Sequence, residues 1–312
     1  MKTKRNLDVS VGVCLLVPTI RKRVVDGRTY YYLGHSVRRD GRVQKRELYL
    51  GTHIPKDLEA RKRAFMDAIY REKWYPVLER IKKAHAAERR QTPPSGQERD
   101  LLAFTTLFTY NTQRIEGSTL SLRETADVLE RGMTPPGRPL EDVKETEAHR
   151  DLFLAMLHEP RDISLSLDLR WHHALFRGTK PDIAGRIRRH QVAISGSRFT
   201  PPSPVEVEPL LRDFFRWYSR NSNRLHPVEL AALVHLKFVT VHPFTDGNGR
   251  IARLLMNFVL HRHGYPMLNI PYTGRARYYT ALERAQTKSA DGIFVLWFLR
   301  SYAKSHRRLL AR

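Results

Sequence analysis

The sequence predicts a mainly α-helical protein, preceded by a small antiparallel β domain and a linking helix. Three observations predict it. Over residues 97–312 apolar residues recur at helical spacing, as in the stripe Leu230, Leu233, Val234, Phe238 and Val241. Residues 1–54 carry β-branched and aromatic runs, interrupted by Asp26-Gly27 and Asp40-Gly41. Both dipeptides favour tight hairpins. The intervening residues 56–92 are heavily charged with spaced apolar anchors, a pattern that suits a solvated helix.

The elements follow in chain order. Val9 to Ile20 reads as a buried strand, and Tyr30 to Leu33 and Arg46 to Leu50 as two more. The domain closes at Pro55. The charged helix over 56–92 has Phe65, Ile69, Leu78 and Ile81 as anchors, and Pro76 is expected to break or kink it. Gln91-Thr92-Pro93-Pro94-Ser95-Gly96 is the best linker candidate. The organisation is therefore 1–55 (basic β domain), 56–96 (helical linker) and 97–312 (helical domain). Helices are predicted near 98–113, 121–131, 141–158, 166–177, 205–219, 227–240, 249–263, 275–287 and 291–309. Ser121-Leu122-Arg123-Glu124 fits a capping box. Pro227 fits a first helical turn, and Gly264 fits the position after a helix end.

Composition bounds the function. The 312 residues, 41% of them hydrophobic, can build one large domain plus a smaller one. The single cysteine, Cys14, excludes an intrachain disulfide and suits a reducing cytosol, so a cytoplasmic location is expected. The basic, apolar N-terminus faintly resembles a signal peptide, but no small-x-small cleavage site follows it. No segment reaches the ~20 apolar residues that span a bilayer, so no membrane partner is expected.

The chemistry concentrates in His242-Pro243-Phe244-Thr245-Asp246-Gly247-Asn248-Gly249-Arg250-Ile251-Ala252-Arg253. Apolar helix-forming segments flank it. Gly247 and Gly249 allow close backbone approach to a ligand at a helix start, where free N–H groups and the positive dipole end attract an anion. Arg250 and Arg253 lie three apart, share a helix face and can both turn toward that anion. Asp246, a lone carboxylate among anion binders, suits a divalent metal that bridges phosphate oxygens. His242 can accept a hydroxyl proton near neutral pH. Together they read as phosphoryl or nucleotidyl transfer. A calcium loop fails: with Gly249 as its invariant glycine, Phe244 and Leu255 would stand at the first and twelfth positions, and neither can bind calcium.

This loop resembles the Fic family signature His-Pro-Phe-x-Asp-Gly-Asn-Gly-Arg-x-x-Arg at every specified position. The resemblance implies a helical bundle with a short β-hairpin flap. It implies transfer of AMP from ATP, with Mg²⁺, to a hydroxyl of a protein target, itself included. His242 would be the base and Asp246 the Mg²⁺ holder. Gly247, Asn248 and Gly249, with Arg250 and Phe244, would line the nucleotide phosphate site, and Arg253 would meet the γ-phosphate. Thr112-Gln113-Arg114-Ile115-Glu116-Gly117 resembles the family's inhibitory motif Ser/Thr-x-x-x-Glu-Gly/Asn. Glu116 would then pair with Arg253 and deny it to ATP. The run Gly185 to Gly196 looks like the flap. Gln191, Val192, Ala193 and Ile194 alternate with period two, as a strand that docks a target segment by edge pairing would. Tyr278 and Tyr279 lie where the family places a Tyr beside the adenine, with core packing as the alternative.

Charge opens another class. The net charge is +23, and residues 1–92 hold 23 Lys+Arg against 10 Asp+Glu. Such an excess can bind nucleic acid through phosphate neutralisation, or serve as a solvated surface. Three functions therefore stand: a protein adenylyltransferase, a hydrolase that removes AMP with the same loop, and a nucleic-acid-binding regulator.

Overall fold

The computed structural model describes residues 18–39 and 42–311 and divides the chain into two compact units, Met1–Glu72 and Lys73–Arg312. In the first unit β1 (Thr19–Val25), β2 (Arg28–Arg39) and β3 (Arg42–Gly51) form an antiparallel sheet in the order β1-β2-β3. Asp26 and Gly27 both take positive φ (50° and 73°), the geometry of a two-residue hairpin turn. The expected Asp40-Gly41 turn lies outside the described residues, as does the apolar run before Pro18 and with it Cys14. The register sorts the side chains by face. Arg21 and Arg23 pair with Tyr32 and Tyr30, Tyr32 with Tyr49, and Ser36 with Lys45, so these residues share one face. Leu33 and Arg46 lie on the other, where Leu33 is buried and Arg46 bonds Glu72.

Helix α1 (Leu58–Gln91) runs through Pro76 without the expected break. Pro76 removes one backbone donor, but Leu78 and Ile81 are fully buried beyond it and anchor the rest of the helix. The expected linker is also absent. Only Thr92 and Pro93 separate α1 from α2 (Pro94–Ile115), because Pro94 opens the helix, where a missing N–H costs nothing. Gln97 reinforces the joint by donating to the carbonyls of Arg89 and Thr92 (both 2.9 Å).

The remaining helices match their sequence expectation within a few residues: α3 (Leu122–Arg131), α4 (Leu140–Leu157), α5 (Leu165–Phe176), α6 (Pro204–Asn221), α7 (Pro227–Val241), α8 (Asn248–Arg262) and α9 (Arg275–Thr287). The last expected helix is two, α10 (Asp291–Ser305) and α11 (Arg307–Leu310), interrupted at His306. The Ser121–Glu124 capping box forms, and Gly264 turns at φ 71°. α7 and α8 make the centre of the core, with Leu230, Val234, Phe238, Ile251, Leu254, Leu255 and Phe258 buried. No helix among the described residues is long and apolar enough to cross a membrane.

One core residue works against stability. Asp168 of α5 is buried, both carboxylate oxygens lack a hydrogen-bond partner among the described residues, and burial raises its pKa well above the usual value. The unfolded chain loses this proton near pH ~4 while the folded chain retains it, so stability falls as pH rises above that point. Asp168→Asn cannot ionise. Its thermal melt is expected to gain on wild type from pH 5 to pH 8, by about 1–3 kcal/mol. An equal offset at both pH values would refute this account.

Candidate active site

The site lies where the chain turns from α7 into α8. His242 closes α7 in the left-handed region, φ 51°, an uncommon conformation for a residue with a Cβ. Arg188 holds it there: its Nε donates to the His242 carbonyl (2.8 Å), and its backbone N–H donates to the Pro243 carbonyl (3.0 Å). His242 Nδ1 faces the Val239 carbonyl at 3.2 Å. A carbonyl only accepts, so Nδ1 carries the proton and Nε2 holds the free lone pair. Burial lowers the His242 pKa, with the Val239 bond opposing, which keeps the ring neutral below the ordinary titration range.

The loop is clamped from within. Phe244 N–H donates to Asn248 Oδ1 (2.9 Å), and Asn248 Nδ2 returns a bond to the Phe244 carbonyl (2.8 Å). The Asn248 side chain is therefore committed to the loop, leaving its backbone to line an anion site. Phe244 also departs from the expectation of a nucleotide contact: its ring is buried and stacks on His172 at 3.8 Å. His172 accepts from the Gly185 N–H (2.9 Å) and donates from Nε2 to the Asp246 carbonyl (3.0 Å). Burial lowers its pKa to about 4, so it serves as a neutral strut.

Gly247 and Gly249 are required by close approach. A Cβ on Gly247 would collide with the Phe176 ring. One on Gly249 would collide with the Glu116 carboxylate and lie 2.9 Å from Arg253 Nη1. Glu116 thus stands directly over the start of α8. It caps α2, which Gly117 (φ 105°) ends, and its Oε1 accepts from Arg253 Nη2 at 2.6 Å. Thr112, one turn earlier, takes Arg253 through its hydroxyl and, at 3.2 Å, through its carbonyl. Burial disfavours the charged Arg253, but the Glu116 field outweighs that and holds its pKa above the usual range.

Arg250 does not turn toward the same place as Arg253. It is buried, and it bonds Glu145, Gln113 (3.2 Å) and Asp246 Oδ1 (3.0 Å). Asp246 is half exposed. Its burial is outweighed by Arg250 and Lys180, which lower its pKa to about 2. The other oxygen, Oδ2, accepts from Lys180 Nζ at 2.8 Å. The two tyrosines separate. Tyr278 is buried against Phe294 and Trp297, accepts from Arg253 (3.5 Å) and shares a hydrogen bond with His235 Nε2 (2.9 Å), so it supports Arg253 and offers no open face to a base. Tyr279 is half exposed and donates to the Ile115 carbonyl (3.0 Å), fastening the end of α2.

The expected flap forms no β-ladder. Gln191 and Ala193 are exposed while Val192 and Ile194 are half-buried, so the period-two alternation is real. The facing arm contains Pro201 and Pro202, which have no N–H to donate. Side chains join the arms in their place: Arg188 to the Pro202 carbonyl (2.6 Å) and Gln191 to the Pro201 carbonyl (3.0 Å). Sequence reading missed Arg188, His172, Glu145 and Lys180 as site residues. No local spacing marks them, because each reaches the loop from far along the chain.

Comparison with known proteins points to one family. The Fic/DOC family model matches residues 162–260. Protein adenylyltransferase fic-1 of Caenorhabditis elegans is 42% identical over 185 residues, covering 57% of this chain and 36% of that protein. Protein adenylyltransferase Fic of Drosophila melanogaster is 39% identical over 181 residues, 56% of this chain and 36% of that protein. The chain therefore spans about a third of the length of these curated relatives. Among solved structures, a fragment of Fic-1 from C. elegans superposes with a TM-score of 0.67 and 33% identity, over 81% of this chain and 76% of that one. A Fic domain containing signaling protein from Bacteroides thetaiotaomicron gives a TM-score of 0.64 and 28% identity, over 74% of this chain and 94% of that one.

Proposed function

This chain belongs to the Fic/DOC family, and from that membership we propose that it transfers AMP from ATP to a hydroxyl side chain of a protein, under inhibition by Glu116. The observation that carries the reading is the position of the Glu116 carboxylate. An anion already sits where the α8 N-terminus, Gly249 and Arg253 converge. A triphosphate would need that space and that arginine.

The residues divide the chemistry as follows. His242 Nε2 takes the proton of the acceptor hydroxyl. Its oxygen bonds the α-phosphorus, the bond from that phosphorus to the α–β bridging oxygen breaks, and pyrophosphate leaves with the electron pair. Backbone N–H groups at the start of α8 face the developing charge, and Arg253, once released, meets the terminal phosphate. The extended residues Gln191 to Ile194 would align the target segment. Asp246 fits a magnesium ion: it is ionised, half exposed, and the only carboxylate of its loop. Mg²⁺ usually takes one or two carboxylates and completes its shell with phosphates and water, so it would arrive with the nucleotide. Bound there, it would screen the phosphate charge. Tyr279, half exposed beside Glu116, remains a candidate wall of the nucleotide site.

The test is an intact-mass spectrum after ATP and Mg²⁺, of the protein alone and with candidate targets. Glu116→Gly protein is expected to show an added AMP mass, and the Glu116→Gly/His242→Ala double variant none. No added mass in any sample would overturn the proposal.

A second reading concerns the N-terminal sheet. On one face of the sheet Tyr49 lies 5.3 Å from Tyr32 and 6.3 Å from Tyr30, and Arg23 sits 4.7 Å over the Tyr32 ring, with Arg21 and Lys45 alongside and Glu47 paired with both arginines. An exposed Tyr49 beside two half-buried tyrosines and an excess of basic side chains suits a nucleic acid strand. Salt-sensitive retardation of single-stranded DNA or RNA is expected, and is expected to be lost in an Arg21→Ala/Arg23→Ala/Lys45→Ala variant. No retardation at low salt would exclude it.

A further inference from the structure

We propose that Lys180 is a built-in counter-cation of Asp246, which a divalent metal must displace, and that it thereby sets the metal affinity of the site. The inference rests on the metal role of Asp246 given above.

The two oxygens of Asp246 are held differently. Oδ1 accepts from the Gly247 N–H (2.5 Å) and from Arg250 (3.0 Å). Those bonds shape the loop, and Arg250 is buried and tied to Glu145 besides. Oδ2 carries neither of these loop bonds and is the oxygen a metal would take. Lys180 Nζ lies 2.8 Å from it. The same ammonium lies 2.8 Å from Glu141 and 3.3 Å from Glu145, both on α4. Three carboxylates thus converge on one flexible cation.

The placement of Lys180 is built into the fold. Lys180 and Thr179 both donate their N–H groups to the Phe176 carbonyl (2.8 and 3.0 Å), which fixes the turn after α5. The Lys180 ammonium lies 5.3 Å over the Phe176 ring, and the Thr179 hydroxyl bonds Glu145 at 3.2 Å. The turn fixes the Lys180 backbone, and ion pairs hold its head group at the end of a flexible stem. A lysine is a point charge on a four-carbon stem, so it can leave Oδ2 and remain paired with Glu141 and Glu145. Arg250, a planar fork held from several sides, cannot. A metal at Oδ2 and an ammonium within hydrogen-bond reach of the same atom repel each other, so the two compete. Without nucleotide the ammonium wins and keeps weakly bound cations out. With nucleotide, the phosphates add negative ligands on the metal's side only, which shifts the balance.

The test reads Mn²⁺ binding from the free-ion EPR signal of the full chain, with and without ADP. Lys180→Met keeps most of the stem and removes the charge. Lys144→Met removes an exposed charge from α4 as a control for general electrostatics. Asp246→Ala defines which binding belongs to the site. Lys180→Met is expected to bind Mn²⁺ about tenfold more tightly at the Asp246-dependent site, a difference appropriate to a half-exposed ion pair, and Lys144→Met to stay within about twofold of wild type. Equal Mn²⁺ affinity in Lys180→Met and wild type, with Asp246→Ala still losing the site, would overturn the role of Lys180 and leave the metal reading intact. Binding that Asp246→Ala does not reduce in any background would overturn both. Matched circular dichroism and melting curves show that each variant is folded.

Discussion

Glu116→Gly protein is expected to incorporate label from α-labelled ATP at least about tenfold faster than wild type. The size follows from what Glu116 does to Arg253. The guanidinium is buried and its partner carboxylate a quarter exposed, so the pair is worth about 1.5–3 kcal/mol after allowance for solvent, or roughly tenfold to 150-fold in ATP occupancy. The carboxylate also fills the space over Gly249, so its removal opens volume as well as releasing charge. The variant is expected to fold, because Arg253 keeps the Thr112 hydroxyl, the Thr112 carbonyl and the Tyr278 hydroxyl. A buried cation that loses its counter-charge still costs stability. The free variant should therefore melt below wild type, and ATP should raise its melting temperature more than it raises that of wild type. Labelling at the wild-type rate, with ATP bound no better, would remove Glu116 from its inhibitory role.

The second large effect belongs to His242. In the Glu116→Gly background, His242→Ala is expected to lower the labelling rate about 10²–10⁴-fold, the range for loss of a positioned general base. ATP binding, read by thermal shift, should persist, because the anion-binding groups are the backbone of α8 and Arg253. The pH dependence gives an independent check. The His242 pKa is lowered by burial, so the ring stays a base at pH values where an ordinary histidine is protonated. The acid limb of the rate profile should then fall below pH ~6.5. A limb above that value, or a His242→Ala variant as active as its parent, would assign the base elsewhere.

Much of this site was legible in the sequence because its parts are contiguous. The run His242 to Arg253 places a histidine, a carboxylate, two glycines and two arginines at one inter-helix turn, where Arg250 nevertheless turns away from Arg253 toward Glu145. Thr112 and Glu116, one helical turn apart, also had a local signature, and they meet Arg253 together. The departures have physical causes that no local pattern holds. Pro76 is overridden by burial of Leu78 and Ile81 further along the same helix. The Asn248 side chain, an amide that can donate and accept, closes its own loop and leaves only its backbone for an anion. Tyr278 was expected at a base, but a hydroxyl between Arg253 and His235 satisfies two buried groups.

The helical class, the hairpin at Asp26-Gly27, most helix bounds and the residue types of the loop follow from the chain alone, because periodicity, turn propensity and side-chain type are local properties. Which further charges meet was decided only by the tertiary structure. Arg250 finds Glu145 across 105 residues and Lys180 reaches Asp246 across 66, whereas the Arg253–Glu116 pair, 137 residues apart, is already implied by the family resemblance. Such pairs are chosen by how the helices pack and by the cost of leaving a buried charge alone, and neither is written in the spacing of neighbours along the chain.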